Sequence, residues 1–321
     1  MKKKLAVAVI GIGNMGKNHV RTYSEMPEVN LVAVVDLNKK AVDAMAAQYG
    51  IKAYTSTQDL LKNEKVDAVS ICVPTTYHYS VAKEYIMSGI HVLIEKPITA
   101  DVSEAKELLQ LAKKKKVKLH VGHIERFNPA IKKVKELIEN GSLGKITAII
   151  ARRVGGFPPQ IKDANISVDL VIHDVDIINY LLDDLPKAIT IHTGKHHIEK
   201  REDSAEFFLQ YKHASAYVQA NWITPVKIRK LNITGTEGYL EMDYVNQKIE
   251  FYQSNYEKLK ESADDFSDYV LRFSEPDIKV INIKKKEPLR EELLHFIKCV
   301  EKDIYIDPSY AVDALVIVLQ K

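Results

Sequence analysis

Three short segments combine residue types and spacings that do chemistry. The first is Gly11-Ile12-Gly13-Asn14-Met15-Gly16, which leaves the apolar run Leu5 to Ile10 and opens a helical segment. Glycine at its first position permits a tight turn, at its second lets an anion approach the backbone, and at its third lets a helix seat closely on a strand. The N–H groups at a helix N-terminus favour phosphate. Asp36 closes a second apolar run, Leu31 to Val35, 20 residues beyond Gly16, where a carboxylate accepts hydrogen bonds from ribose hydroxyls. This is the chemistry of dinucleotide binding, with Gly11, Ile12, Gly13, Asn14, Met15, Gly16 and Asp36 as its contacts. A carboxylate at this point repels the extra phosphate of NADP, so NAD is the expected cofactor. Lys39 and Lys40 leave NADP open, or else form a solvated helix face.

The second segment is a pair of strand ends, Pro74-Thr75-Thr76-Tyr77-His78 and Glu95-Lys96-Pro97. Pro74, Thr75, His78, Glu95 and Lys96 are candidate cofactor contacts, because ligands collect outside the carboxyl edge of such a sheet. Lys96 arrives directly after an apolar run and can meet the substrate hydroxyl, where its positive charge favours a developing alkoxide. The plainer alternative is a surface lysine paired with Glu95. His78 either touches the cofactor or makes local hydrogen bonds at a helix start. The third segment, Asp169 to Asp176, places Asp169 and His173 four residues apart, on one face if the segment is helical. Together they suit acid–base work. Asp169 as a helix cap and His173 as a surface histidine are the competing readings. His192, His196 and His197 lack the spacing that fixes a tetrahedral ligand set, and no metal is expected.

The elements that position these groups follow from periodicity. Apolar strand runs alternate with helical segments up to about residue 122, the signature of an open, mostly parallel, doubly wound α/β sheet. Beyond it the pattern changes. Amphipathic helices near residues 130 and 170 accompany successive strands from 146 to 251, which suggests an α+β domain on a largely antiparallel sheet. Two closing helices follow, around Glu291 to Lys302 and Ser309 to Gln320, and the charged stretch Glu257 to Tyr269 reads as an exposed insertion. The expected division is residues 1–122 for cofactor binding and 123–321 for substrate binding and oligomerisation.

Composition narrows the partners. The chain has 321 residues, 46% of them hydrophobic and 28% charged, and 46 basic against 43 acidic side chains leave a net +3. That composition excludes a disordered or fibrous chain, and the near-neutral charge argues against an extended nucleic-acid partner. Nothing approaches the roughly 20 apolar residues of a membrane-spanning helix. The start, Met1 to Ile10, has the basic and apolar parts of a signal peptide, but Gly11, Gly13, Asn14 and Lys17 break it. Cys72 and Cys299 lie far apart with no zinc or redox spacing, so a reduced, cytoplasmic protein is expected.

The order of the glycine-rich turn, Glu95-Lys96-Pro97, Arg126-Phe127-Asn128-Pro129 and Asp169 with His173-Asp174 resembles the glucose-fructose oxidoreductase, inositol dehydrogenase and rhizopine-catabolism (Gfo/Idh/MocA) superfamily. The resemblance covers essentially the whole chain. It implies an N-terminal Rossmann domain and a C-terminal α+β domain on an open, mostly antiparallel mixed sheet, whose exposed face makes a homodimer or homotetramer. It also implies that Lys96 contacts substrate and nicotinamide, that His173 is the general base, and that Asp169 binds substrate. Arg126 and Asn128 would lie near the interdomain crevice as substrate contacts. The stretch Val121 to Pro129, followed by Arg152-Arg153-Val154-Gly155-Gly156-Phe157-Pro158, is similar to the branch of UDP-N-acetylglucosamine 3-dehydrogenases. Arg152, Arg153 and Lys162 then become candidate partners of a UDP-sugar diphosphate, or solvated basic residues at a strand exit. Gly155-Gly156 and Pro158-Pro159 suit a loop over the sugar, or an inert turn.

The resulting expectation is NAD-dependent oxidation of the C3 hydroxyl of a UDP-N-acetyl sugar, with UDP-N-acetylglucosamine first. UDP-N-acetylglucosaminuronate, inositol and a free sugar are the alternatives. A non-catalytic sensor on the same fold would be marked by loss of Lys96 or His173, and both are present.

Overall fold

The computed structural model describes residues 4–157, 165–254 and 278–320. They form two compact units, one built from the chain up to Phe127 together with Glu287–Val316, the other from Asn128–Lys286 together with the chain from Ile317 onward.

In the first unit six strands alternate with helices: β1 (Leu5–Ile10), α1 (Asn14–Ser24), β2 (Val29–Val35), α2 (Lys39–Tyr49), β3 (Lys52–Tyr54), α3 (Thr57–Asn63), β4 (Ala68–Ile71), α4 (His78–Met87), β5 (His91–Glu95), α5 (Val102–Lys115) and β6 (Leu119–Gly122). All strand pairs are parallel, in the order β3-β2-β1-β4-β5-β6. The apolar run Val7–Ile10 and the strand Ala68–Ile71, including its Ser70, are buried, as strands covered on both faces must be. The order reverses between β1 and β4, which makes the carboxyl ends of those two strands the place for a ligand. Local chemistry sets the helix ends. The Asn38 and Asp101 side chains cap α2 and α5, and α2 stops at Gly50, whose φ of +67° suits a residue without Cβ.

A contiguous split at residue 122 does not describe this unit. The chain returns to it through α8 (Pro288–Glu301) and most of α9 (Ser309–Val318). Leu289, Leu293, Phe296 and Ile297 of α8 are buried in one cluster with Val7, Val9, Val20, Tyr23 and Leu93. Arg21 pairs with Glu287 at the start of α8, and the Tyr310 hydroxyl donates to the Val121 carbonyl at 2.9 Å. The apolar face of the closing helices therefore completes the cofactor unit, where sequence order had grouped them with the second domain.

The second unit is built on an eight-stranded mixed sheet, β14-β13-β12-β11-β7-β10-β9-β8. Its strands are β7 (Ile146–Val154), β8 (Ala188–Gly194), β9 (Ser204–Gln210), β10 (Ser215–Asn221), β11 (Ile228–Gly235), β12 (Gly238–Asp243), β13 (Lys248–Gln253) and β14 (Ile278–Ile281). β7 and β10 run parallel and the other pairs antiparallel. α6 (Pro129–Glu139) packs on α7 (Ile172–Leu182), which lies against β7 and β10. Period-two alternation sorts the faces: Ile149, Ala151, Phe207, Ala216, Val218, Leu231 and Ile233 are buried, while Ile150 and Phe208 are exposed. Among the described residues, no helix is long and apolar enough to cross a membrane.

Candidate active site

The glycine-rich turn joins β1 to α1 at the carboxyl edge of the first sheet. Gly11 has φ +85°, and a Cβ there would come within 2.8 Å of the Cys72–Val73 backbone at the end of β4. A Cβ on Gly16 would run into the Gly11 carbonyl, whereas one on Gly13 would meet nothing within 4 Å. Two glycines thus serve packing, and Gly13 leaves open space beside the helix N-terminus, whose first N–H groups have no partner within the helix. This geometry fits a pyrophosphate. The Asp36 carboxylate accepts from the Ile12 amide at 2.9 Å and from the Asn38 amide at 2.8 Å, which ties the turn to the end of β2 while each oxygen keeps a second lone pair. Lys39 pairs with Asp43 one helical turn on, the solvated-face alternative. Gly16→Ala should cost about 1–3 kcal/mol through overpacking and lower the melting temperature. Gly13→Ala should leave melting unchanged and weaken only NAD binding; calorimetric titration beside thermal melts checks both outcomes.

Pro74 and Thr75 start a short 3-10 turn at the end of β4, the neighbour of β1. His78, 1% exposed, points elsewhere than expected. Its Nδ1 lies 2.8 Å from the Pro97 carbonyl and its Nε2 2.9 Å from the Val73 carbonyl, and burial pulls the imidazole pKa down. The neutral ring has one N–H, which donates to one of these two carbonyls, and with backbone facing both of its nitrogens His78 braces the β4 and β5 ends rather than presenting a donor to a cofactor. Lys96, half-buried, follows β5 and is joined to Pro97 by a cis peptide. Beneath it Glu95 is buried, with Oε1 2.9 Å from His19 Nε2. Burial, and then the charge of Glu95, push the neighbouring Cys72 thiol well up, so it stays protonated. Donor atoms of His19, Cys72 and Glu95 lie within 4.8 Å of one another; the His19–Glu95 separation is that of a direct hydrogen bond.

In the second unit the segment leading into α7 is not a continuous α-helix. Asn165 caps it, its Oδ1 accepting from the Val168 amide at 3.0 Å, and Ser167–Val171 form a π-helical turn before α7. Asp169 is therefore no N-cap. It lies in a turn with five-residue hydrogen-bond spacing, of a kind that recurs at functional sites, while His173 lies in α7, so the simple four-residue alignment between them is broken. Both are half-buried.

The paired arginines diverge, as strand alternation requires. Arg153, 5% exposed, makes a bidentate ion pair with Asp174, Nε–Oδ2 2.8 Å and Nη2–Oδ1 2.9 Å, and lies over the Tyr244 ring. Arg152 sits on the opposite, open face beside Gln219 of β10 and Lys230 of β11. They cannot converge on one diphosphate. Asn128 is likewise structural: it is buried, its Oδ1 caps α6 through the Ala130 amide, and its Nδ2 donates to the Tyr244 carbonyl at 3.1 Å. Arg126 stacks over Tyr310 at 3.8 Å. Lys162, Pro158-Pro159 and the stretch Glu257 to Tyr269 lie outside the described residues.

A family model described as an oxidoreductase family with an NAD-binding Rossmann fold matches residues 5–123, and one described as the GFO/IDH/MocA C-terminal domain matches residues 131–241. The UDP-N-acetylglucosamine 3-dehydrogenase of Acidithiobacillus ferrooxidans is 30% identical over 249 residues, 77% of each chain. The chain belongs to the Gfo/Idh/MocA oxidoreductase family. It is an NAD-binding enzyme with an N-terminal Rossmann domain and a C-terminal mixed-sheet α+β domain. A solved structure of the Acidithiobacillus dehydrogenase superposes with a TM-score of 0.85 at 26% identity, covering 99% of this chain and 96% of that one. An inositol 2-dehydrogenase of Rhizobium meliloti is 32% identical over 186 residues, 57% of this chain and 56% of its own. GenD2 from gentamicin A biosynthesis, solved with NAD, shares the fold at 21% identity and a TM-score of 0.81, covering 99% and 93%.

Within this Gfo/Idh/MocA chain, several residues of the candidate site had escaped the sequence reading. His19 could have been found, since it sits three residues after Gly16 on the same buried helix face as Val20 and Tyr23. Trp222 and Arg201 join Phe157, a member of the Arg152-to-Pro158 stretch, only in the folded sheet, and no local pattern announces that the three meet.

Proposed function

We propose that the protein, an NAD-dependent dehydrogenase of sugar or sugar-nucleotide hydroxyls, oxidises the C3 hydroxyl of a UDP-N-acetyl sugar, UDP-N-acetylglucosamine foremost, to the 3-keto form. The observation that carries this reading is the whole-chain likeness to the Acidithiobacillus UDP-N-acetylglucosamine 3-dehydrogenase, which spans both units. NAD supplies the hydride acceptor when bound. The turn Gly11-Ile12-Gly13-Asn14-Met15-Gly16 cradles its pyrophosphate with the α1 N-terminus, Asp36 takes the adenine ribose hydroxyls, and Pro74, Thr75, Glu95 and Lys96 border its nicotinamide half. His173 removes the hydroxyl proton, Asp169 holds the sugar, and the Lys96 ammonium stabilises the oxygen as its charge develops.

A second reading, oxidation of inositol, draws on the Rhizobium relative, whose match covers a little over half of either chain. The uronate form of the sugar nucleotide and a free sugar belong to the same test. The row formed by exposed Ile150, half-buried Tyr217 and exposed Phe208 across β7, β10 and β9 supports a homodimer or homotetramer through the open sheet face, and the protein is proposed to be cytoplasmic. A panel of nucleotide sugars and free polyols, each followed for NADH with and without 2-oxoglutarate to reoxidise a retained cofactor, decides the substrate. UDP-N-acetylglucosamine should give the highest kcat/KM and a 3-keto product. Oxidation of a polyol with every UDP-N-acetyl sugar inert would overturn the proposal.

A further inference from the structure

The parallel pair β7 and β10 ends at one edge of the second sheet, with Val154 opposite Asn221. Phe157 and Trp222 follow those ends, their ring centroids 5.8 Å apart at 75°. The Arg201 guanidinium lies over both rings, 5.5 Å from Phe157 and 5.3 Å from Trp222. The turn bearing Arg201 is built rather than loose. The buried Asp203 carboxylate accepts from the amides of His196, His197 and Ile198 at 2.6 to 3.1 Å, and the Asp203 carbonyl accepts from the Trp222 amide at 2.9 Å.

Two features of this cluster call for a ligand. Phe157 is 42% exposed although large and apolar, and a Cβ on the adjacent Gly156 would meet nothing within 4 Å, so an open aromatic face stands at the sheet edge. Trp222 is 4% exposed, and its indole N–H is buried with no acceptor among the described residues, an arrangement that folded proteins seldom leave uncompensated. An aromatic face suits a nucleobase, because every base has a π-face, and a guanidinium suits the phosphate next to it. The strand ends that carry the cluster directly follow Arg153, the residue paired with Asp174 beside His173.

Resting on the nucleotide-sugar reading above, we propose that Phe157, Trp222 and Arg201 form the seat of the nucleoside diphosphate part of the substrate, the base stacking on Phe157 and the diphosphate meeting Arg201. The diphosphate is thus assigned to Arg201 in place of Arg152 and Arg153, and the platform anchors the nucleotide half of the substrate without taking part in the chemistry.

Trp222 is the sole tryptophan of the chain, so its emission reports on the platform directly. UDP is titrated onto the NAD-loaded protein while indole emission is followed. UDP should produce a saturable change and free N-acetylglucosamine none. Phe157→Ala, a truncation at an exposed side chain, should raise the Kd for UDP roughly tenfold or more. Arg201→Met, which keeps the stem, should weaken UDP more than uridine. With UDP-N-acetylglucosamine as substrate, both variants should raise KM and leave kcat within about twofold. UDP that inhibits competitively, yet leaves emission and its affinity for Phe157→Ala unchanged, overturns the platform and spares the nucleotide-sugar reading. A response to free sugar but not to UDP also overturns it, by assigning the aromatic face to the sugar ring. A protein indifferent to UDP that oxidises free polyols overturns both proposals together.

Discussion

Lys96→Met should lower kcat by about 10²–10⁴-fold, the range found when a positioned charge or proton-transfer group is removed from a transition state, while the Kd for NAD stays within a few-fold of the parent. Methionine keeps the length of the stem and deletes the ammonium. The lysine issues from β5 at the carboxyl edge of the sheet, one residue after the buried Glu95 that His19 holds at 2.9 Å, so its backbone is fixed before any substrate arrives. Negative charge develops on the substrate oxygen as the hydroxyl proton is removed and is drawn into the new carbonyl as hydride leaves carbon, so an ammonium beside that oxygen acts on the barrier far more than on binding of the neutral alcohol. Steady-state NADH formation together with calorimetric NAD titration separates the two effects. Unchanged turnover would return Lys96 to the surface-lysine reading, and a large loss of NAD affinity at unchanged kcat would make it a cofactor contact alone.

How much of this was legible depends on whether the signal was local. The cofactor turn was, because a strand, three spaced glycines and an acidic strand end are close in sequence and have few other physical uses in that order. Its glycines divide the work nearly as expected, with Gly11 turning, Gly16 packing and Gly13 left open. The mixed sheet was legible as alternating strands, although β14, only four residues long, was not. Information that depends on long-range packing was missing. Nothing in the sequence of α8 says which apolar cluster its Leu293 and Phe296 will enter, so the closing helices were grouped with the wrong unit. His78 and Asn128 have the chemistry of ligand contacts, and they spend it on the backbone instead. The π-helical turn before α7 shifts Asp169 against His173 through a single inserted residue per turn, a change that periodicity over so short a segment cannot resolve.

The adjacent arginines of β7 teach the strand lesson most sharply, and Arg153 carries the second large effect. Arg153→Met should destabilise the second unit by about 3–5 kcal/mol, because it leaves the Asp174 carboxylate, 1% exposed, without its bidentate partner in a buried setting. The double variant Arg153→Met with Asp174→Leu should recover most of that loss, since an apolar pair of similar volume removes the desolvation penalty on both sides. Denaturant unfolding of the single and double variants measures the coupling between the two positions. The same pair of proteins tests the role of Arg153 toward the substrate. With Nε and Nη2 donating to Asp174 at 2.8 and 2.9 Å, the side chain serves to hold the first turn of α7, and with it His173, against β7. The double variant should therefore keep its KM for UDP-N-acetylglucosamine within about threefold and lose kcat through a less fixed His173. A KM raised tenfold or more at unchanged kcat would instead make Arg153 a diphosphate ligand, and the ion pair with Asp174 would then be a resting arrangement that substrate displaces.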